Sequence, residues 1–435
     1  MTQHTANPGQ VNWRQVLGLI GARRELPAEA VRFAMDEVMT GRASDVHVAA
    51  FAFGLFAKGI TPSELDAAAT GMLAHAADVE LPDAAGDWPL IVADATDAPA
   101  LRELAESTRV VLTLVGPYAK YGRELVAACA EAGTDYVDLT GEVLFAHDSM
   151  VAHHDRARET GARIVHSCGF DSIPSDVAVK TLHDAAGIEL ADATLIVTHL
   201  RGGLSGGTID SLRHQLAEMR EDPARARIAG AAFSLNPGLY GPGGDRANDT
   251  PLIPRGAVIP AETGWLAPFF MAPYNTRVVR RTAHFLGYGP DFRYREAMNV
   301  GRGARSWLRA RLVKAGMTGL IGAMMFPPTA RFVDRKLPKP GEGPSESERA
   351  RGRFTFDLHA DDRTGGRWTS RVSLEQDPGY DGTAMMISAA AMALAFDRDR
   401  LPDRHGVLTP MSGIGEPLVD RLREGGMSIT ARPAR

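Results

Sequence analysis

Between Trp88 and Ser167, apolar runs and amphipathic helices alternate four times in the pattern of a doubly wound parallel sheet, yet no glycine-rich strand-to-helix turn precedes them. That missing turn constrains the chain more than anything present. Ligands of such sheets lie outside the carboxyl ends of the strands, and the usual phosphate cradle is the Gly-x-Gly-x-x-Gly turn after the first strand. Residues 12–82 spell four short amphipathic helices in its place. Function must be argued from what remains.

The alternation predicts strands over 89–94, 109–115, 135–139 and 163–167, with helices over 97–106, 122–132 and 145–160. Residues at consecutive strand ends should line one crevice: Asp94, then Gly116, Pro117 and Tyr118, then Thr140, Gly141 and Glu142, then Gly169 to Asp171. Each has a plainer reading. Asp94 could cap the next helix, Gly116-Pro117 could be only a tight turn, and Asp138 and Glu142 could be solvent-facing acids.

In the first eighty residues, Trp13, Val16, Leu17 and Ile20 form a helical stripe, as do Val31, Met35, Val38 and Met39. Val48, Phe51, Ala52, Leu55 and Phe56 form a third, closed by Gly59. Thr61-Pro62-Ser63-Glu64 then places a cap, a first-turn proline and a capping-box acid in order, ahead of Leu65, Ala69, Met72 and Leu73. Such a bundle buries little by itself, which predicts packing on another surface or a homodimer through these helices.

Beyond Pro174 the pattern mixes helices with antiparallel strands. A helix over 175–186, a strand over 194–200 and a hairpin of 354–358 with 368–374 around Thr364-Gly365-Gly366 are expected. The run Gly202-Gly203-Leu204-Ser205-Gly206-Gly207-Thr208 lacks a phosphate-loop lysine and reads as a close backbone approach to a ligand, or as a flexible turn. A helix starting at Thr208 would offer amides to an anionic group. Residues 338–344 read as a loop and 383–396 as a core helix. Residues 315–326 are apolar and glycine-rich but short, so they read as a buried or groove-forming helix, with a membrane-touching or lipid-accepting segment as the alternative.

Composition narrows the classes. The chain has 435 residues, 44% of them hydrophobic and 23% charged, with net charge −5, which suits a soluble multidomain protein and gives no reason to expect nucleic acid. No window suggests a transmembrane segment. The two cysteines, Cys129 and Cys168, do not make a disulfide framework, and the polar start lacks the basic and apolar regions of a signal peptide. A cytoplasmic location, peripheral to a membrane at most, is expected. His147, His153 and His154 have no carboxylate or thiolate at ligand spacing, so they read as surface histidines and no metal is expected.

The wording of the segments is more specific than their pattern. Trp13, Met35, Met39, Gly41, Ala49, Phe51, Lys58, Gly59 and Glu64 lie in a run over 12–82 that resembles the N-terminal helical domain of anthranilate phosphoribosyltransferase. In that family the helices support dimerisation and the donor sits on a Gly-Thr-Gly-Gly-Asp loop, which is missing here, so phosphoribosyl transfer is not expected. The segments VGPYAKYGRELVAACAEAGTDYVDLTGE, GARIVHSCGFDSIPSD, RGGLSGGT, MAPYNTRVVRR, DPGYDGT and HGVLTP resemble the saccharopine dehydrogenase-like oxidoreductases over about 88–435, most of all the trans-acting enoyl reductases of polyketide lipid synthesis.

That resemblance implies a Rossmann-type domain, a mixed substrate domain, NADP or NAD as cofactor, and reduction of an acyl carbon–carbon double bond. Such relatives open with a Gly-Ala-Thr-Gly-Phe-Val-Gly turn that this sequence lacks. The fold class is therefore α/β: a four-helix module (1–85), a truncated Rossmann-like doubly wound sheet (86–172), an α+β substrate domain (173–400) and a C-terminal segment (401–435) packing back on the Rossmann-like part. Candidate catalytic residues are Tyr118 as proton donor, Asp171 as an orienting acid and Arg277 as a clamp on an anionic carbonyl or thioester oxygen. Candidate cofactor residues are Asp94, Gly116, Pro117, Tyr118, Thr140 and Gly141; candidate substrate residues are Gly203, Ser205, Gly206, Thr208 and Asn275. The substrate expected is acyl or lipid-like and carrier-bound. The alternative is a non-catalytic acyl-binding or relic fusion protein.

Overall fold

The computed structural model describes residues 11–40, 42–73, 91–202, 206–236, 249–334, 337 and 343–434. The chain divides into two compact units, Met1–Val92 and Ala93–Arg435.

The first unit is four helices, Trp13–Gly21, Ala28–Met39, Asp45–Lys58 and Pro62–Leu73. Asn12 and Gln15 make a reciprocal capping box at the first start. Thr61 and Glu64 make another: Thr61 N donates to Glu64 Oε2 at 2.9 Å and Glu64 N to Thr61 Oγ1 at 3.3 Å. Gly54 lies against Ile20, where an added Cβ would stand 2.3 Å from Ile20 Cγ2, so these helices approach backbone to side chain. That contact turns Phe51 and Leu55 into the core with Val16 and Val31. It also corrects the expected stripe, because Val48 and Phe56 face outward, Phe56 at 83% exposure.

The second unit holds two sheets whose strands are, in chain order, β1 (Val110–Leu112), β2 (Asp135–Val137), β3 (Arg163–Val165), β4 (Leu190–Arg201), β5 (Ile253–Pro254), β6 (Trp265–Pro268), β7 (Arg293–Asn299), β8 (Arg353–Asp362), β9 (Arg367–Leu374), β10 (Gly406–Leu408) and β11 (Ser428–Pro433). A parallel sheet runs β1-β2-β3-β10, and a mixed sheet runs β11-β9-β8-β4-β7-β6-β5. The Ala98–Ser107, Arg123–Ala132 and Val143–Thr160 helices pack together beside the parallel sheet, and the Asp381–Phe396 helix packs on β1 and β2. The core of the unit joins residues of both sheets, from Val137 and Val165 to Phe354 and Phe356, through the Ile173–Ala186 helix. The C-terminal stretch serves both sheets, since β10 pairs with β3 and β11 pairs with β9. The expected hairpin is β8 and β9, joined in antiparallel register.

One expected strand is absent. Residues 91–94 form no strand, and Ile91 and Val92 are 55% and 57% exposed. A strand needs a hydrogen-bonding neighbour, and in a doubly wound order the neighbours of this run and of β1 are the first two strands, which do not occur among the described residues. β1 is accordingly an edge strand: Leu112, Leu114 and Val115 along it and just beyond are 38%, 63% and 55% exposed.

Candidate functional site

The carboxyl ends of β2 and β3 are fastened by one buried acid. Asp138 Oδ1 accepts from the amides of Thr140 at 3.1 Å and Ser167 at 2.9 Å. Its Oδ2 accepts from Tyr136 Oη at 3.0 Å and lies 2.7 Å from His166 Nδ1, whose Nε2 is 2.8 Å from Ser149 Oγ. Asp138, His166 and Ser149 thus form a row that spacing did not reveal, and Asp138 is buried rather than solvent-facing. All three are at most 4% exposed, so the row ties strands together rather than presenting a nucleophile.

Glu142 performs a second fastening. Its Oε1 accepts from Tyr118 N at 2.9 Å and Ser211 Oγ at 2.6 Å, and its Oε2 accepts from Ala119 N at 2.8 Å. Burial raises its carboxyl above the usual range, against the pull of Ser211 and the two amides. Tyr118, expected as a proton donor, is 5% exposed, donates its hydroxyl to Thr113 O at 3.3 Å and accepts from Leu139 N at 3.2 Å. Burial, then the Asp138 charge, push its phenol up, so it is a clamp between strand ends and not an available acid.

The cofactor candidates meet a similar fate. Gly116 and Pro117 are joined by a cis peptide and lead into the Tyr118 turn, while Thr140 is fully buried and accepts from Glu142 N. Asp94 is exposed and folds back on Thr96, whose hydroxyl and amide lower its carboxyl. Helix starts that would offer amides to a diphosphate are taken by the chain itself: Tyr118 and Ala119 by Glu142, Val143 by Gln215 at 2.8 Å, Ala100 by Asp97 at 3.2 Å, and Ile173 by the Gly169 carbonyl at 3.0 Å. These particular amides are therefore not open to the phosphates of a dinucleotide.

Asp171 is different. It follows β3, is half-buried, and has no hydrogen-bond partner among the described residues. Its Oδ2 lies 3.1 Å from where a Cβ on Gly141 would stand, so Gly141 makes room for it at the end of β2. Burial pushes its carboxyl up to about 7. A group of that kind can both give and take a proton near neutrality.

The substrate candidates separate. Gly203 and Ser205 lie outside the described residues. Gly206 is buried at the start of the Gly206–Glu221 helix, two residues before the expected start, and Thr208 is exposed in its first turn. Ser211 and Gln215 moor that helix on the end of β2. Asn275 is fully buried, bonded to Glu296 at 3.1 Å, Ser172 at 3.3 Å and Ser175 at 3.4 Å, so it fixes the start of the Ile173–Ala186 helix instead of meeting a ligand. Arg277 is 3% exposed, with its guanidinium donating to Ala229 O, Ala231 O, Ser234 Oγ and Asp249 Oδ2, which leaves it no clamp to offer.

Two residues that sequence reasoning passed over join the crevice. Thr383 Oγ1 accepts from Phe170 N at 3.1 Å, next to Asp171, and Gly169 packs on Thr383. Asp377 is buried with Oδ1 unpartnered, and an added Cβ on Gly202 would stand 2.7 Å from that oxygen. Their signal was the DPGYDGT segment itself, whose turn precedes the Asp381–Phe396 helix. His147, His153 and His154 are half-buried rather than on the surface, and His147 Nδ1 lies 2.6 Å from Ser234 O. Cys168 is fully buried, which raises its thiol well above the usual value.

Residues 14–76 match the model of the glycosyl transferase family, helical bundle domain. A Mycobacterium tuberculosis protein is 41% identical over 373 residues, covering 80% of this chain and 86% of its own. Trans-acting enoyl reductases of Mycobacterium ulcerans and Mycobacterium bovis are each 38% identical, over 369 and 363 residues, covering 80% and 79% of this chain and 86% and 85% of theirs. Among solved structures, apo saccharopine dehydrogenase (L-Glu forming) of Saccharomyces cerevisiae covers 79% of this chain and 89% of that chain at 13% identity, with a TM-score of 0.42, a superposition too loose to argue from.

Proposed function

Because the chain belongs to the trans-acting enoyl reductase family, we propose that Ala93–Arg435 serves the reduction of an acyl carbon–carbon double bond and supplies the substrate-facing half of that chemistry. Asp171 is its proton-handling group, acting on the carbon beside the acyl carbonyl. The substrate class is an acyl chain, carrier-bound, and the reductant of the family reading is NADPH or NADH. The phosphates of that reductant fall to atoms outside the described residues or to a second chain, so no step is routed through it. The observation that carries this reading is the contrast at the strand ends, where Glu142 closes the Tyr118 and Ala119 amides while Asp171 stays unpartnered.

The same contrast favours a second reading, a non-catalytic acyl-binding protein. Self-association of the helical unit belongs to the proposal too, supported by Phe53 and Phe56 at 72% and 83% exposure on one helix, and so does a cytoplasmic location. Titration of the purified full chain with NADPH, read by energy transfer from tryptophan to nicotinamide, tests the division of labour. Transfer that does not saturate below the millimolar range is expected; saturation in the micromolar range would show that the chain closes a cofactor site unaided. In that case an enoyl thioester should be reduced by the wild type and not by Asp171→Asn. Reduction by the variant at the wild-type rate would remove Asp171 from the chemistry.

A further inference from the structure

We propose that the Arg305–Met325 helix is a docking face for an anionic lipid bilayer surface, with the helix lying in the plane of the headgroups. This goes beyond the reductase reading and does not rest on it. The helix has 21 residues, yet only Ser306, Ala310 and Met324 are buried. A second apolar stripe points the other way. Leu308 and Leu312, one turn apart, are 56% and 63% exposed, and the same stripe continues through Ala315, Gly319 and Gly322 to Phe326, which is 59% exposed at the C-cap. Trp307, 41% exposed, stands beside it, with the Arg311 guanidinium 4.3 Å from its ring centre. An apolar stripe directed away from the core is a cost to a soluble chain unless something covers it.

Charge says what covers it. No Asp or Glu occurs from 305 to 333, while Arg305, Arg309, Arg311 and Lys314 do, and none of these four makes an ion pair among the described residues. On a helical projection Arg305 and Arg309 flank one side of the stripe and Arg311 flanks the other. Long cationic side chains beside apolar ones suit headgroup phosphates above an acyl boundary. A second copy fits poorly, because pairing two such faces sets cation against cation with no acid to answer. Crossing the bilayer is not at issue, since no described helix is long and apolar enough.

The test is co-sedimentation of the full chain with vesicles of phosphatidylcholine plus phosphatidylglycerol, against vesicles of phosphatidylcholine alone. The wild type should sediment with the mixed vesicles and be released by high salt. Leu308→Asp with Leu312→Asp should abolish sedimentation while leaving thermal unfolding unchanged, because both side chains are exposed. Arg305→Gln and Arg311→Gln should each weaken partitioning about fivefold. The proposal is overturned if the wild type stays in solution, if it sediments equally with uncharged vesicles, or if the double variant sediments like the wild type. It is overturned equally if sedimentation velocity shows a dimer that the double variant dissociates, or if the wild type binds an acidic acyl-carrier domain in preference to the vesicles.

Discussion

Glu64 in the helical unit and Asp171 in the second unit are both acids set in part-apolar surroundings, and they are treated in opposite ways. Glu64 is fully buried and answered on every side: its carboxylate accepts from Leu26 N at 2.7 Å, Thr61 N at 2.9 Å and Lys58 Nζ at 2.6 Å. Burial alone would raise its carboxyl, but the Lys58 ammonium and the two amides hold it below its ordinary value. Asp171 has none of this and is pushed up to about 7 by burial. A fully satisfied buried charge holds structure together; an unsatisfied one is kept at a stability cost and marks a place where something else is to be met.

The largest test of the contrast removes the satisfied acid. Glu64→Ala leaves Lys58, whose side chain is 4% exposed, as a buried cation without its counter-charge, and strips two amides of their acceptor. A loss of about 3–5 kcal/mol is expected, read as loss of the helical unit's cooperative melting by circular dichroism of the full chain. The pair's contribution is present above the unfolded carboxyl's value and is lost as pH falls through the lower folded value. A melting curve unchanged by the substitution would break the comparison at its first term.

Asp171→Asn should do the reverse. In the folded chain the proton stays on up to about pH 7, whereas in the unfolded chain it leaves near 3.8, so between these values the folded state binds more protons. Stability from this group is intact below the unfolded value, falls as pH rises, and reaches a constant penalty above about 7. A shift of this size corresponds at most to about 4 kcal/mol, and the residue's partial exposure to solvent brings the expectation to about 2 kcal/mol. The variant should therefore be more stable than the wild type at pH 8 and equal to it near pH 4. Asp176 and Glu296, also raised to about 7 by burial, stay in both chains, so the difference between the two unfolding curves isolates Asp171. Destabilisation at pH 8 would mean that Asp171 has a partner after all.

Periodicity made most of the scaffold legible. The four N-terminal helices, β1, β2, β3 and the helices between them lie where apolar spacing places them, and the capping box at Thr61 and Glu64 forms as its four residues dictate, whereas β10, the fourth strand of the parallel sheet, was not placed by spacing. Residues 91–94 failed because an apolar run becomes a strand only beside another, a condition local sequence does not state. The site was harder for a similar reason. Asn275 and Arg277 look like ligand-facing residues until Ser172, 103 positions from the first, and Ala231, 46 positions from the second, are folded onto them. Asp171 was visible as a strand-end acid, but its solitude is a tertiary fact. The open edge of β1 and the closure of helix starts by Glu142 and Gln215 are tertiary too.

Glu142 supplies the middle term between the two acids and the smallest expected effect. It has partners, as Glu64 does, yet its carboxyl is raised, as that of Asp171 is. What separates it from Glu64 is the cation: two amides and one hydroxyl offset less of the burial penalty than amides together with an ammonium. Removing the hydroxyl with Ser211→Ala should therefore move Glu142 further toward the Asp171 extreme. The expected loss is about 1 kcal/mol, since the site is part-buried and water can take the hydroxyl's place. Because the lost bond serves the ionised carboxylate, thermal unfolding should show the loss at pH 8 and little of it at pH 4. A loss of equal size at both values would assign Ser211 to helix packing alone, and the ranking of the three acids would then rest on the Lys58 ammonium without support from the hydroxyl.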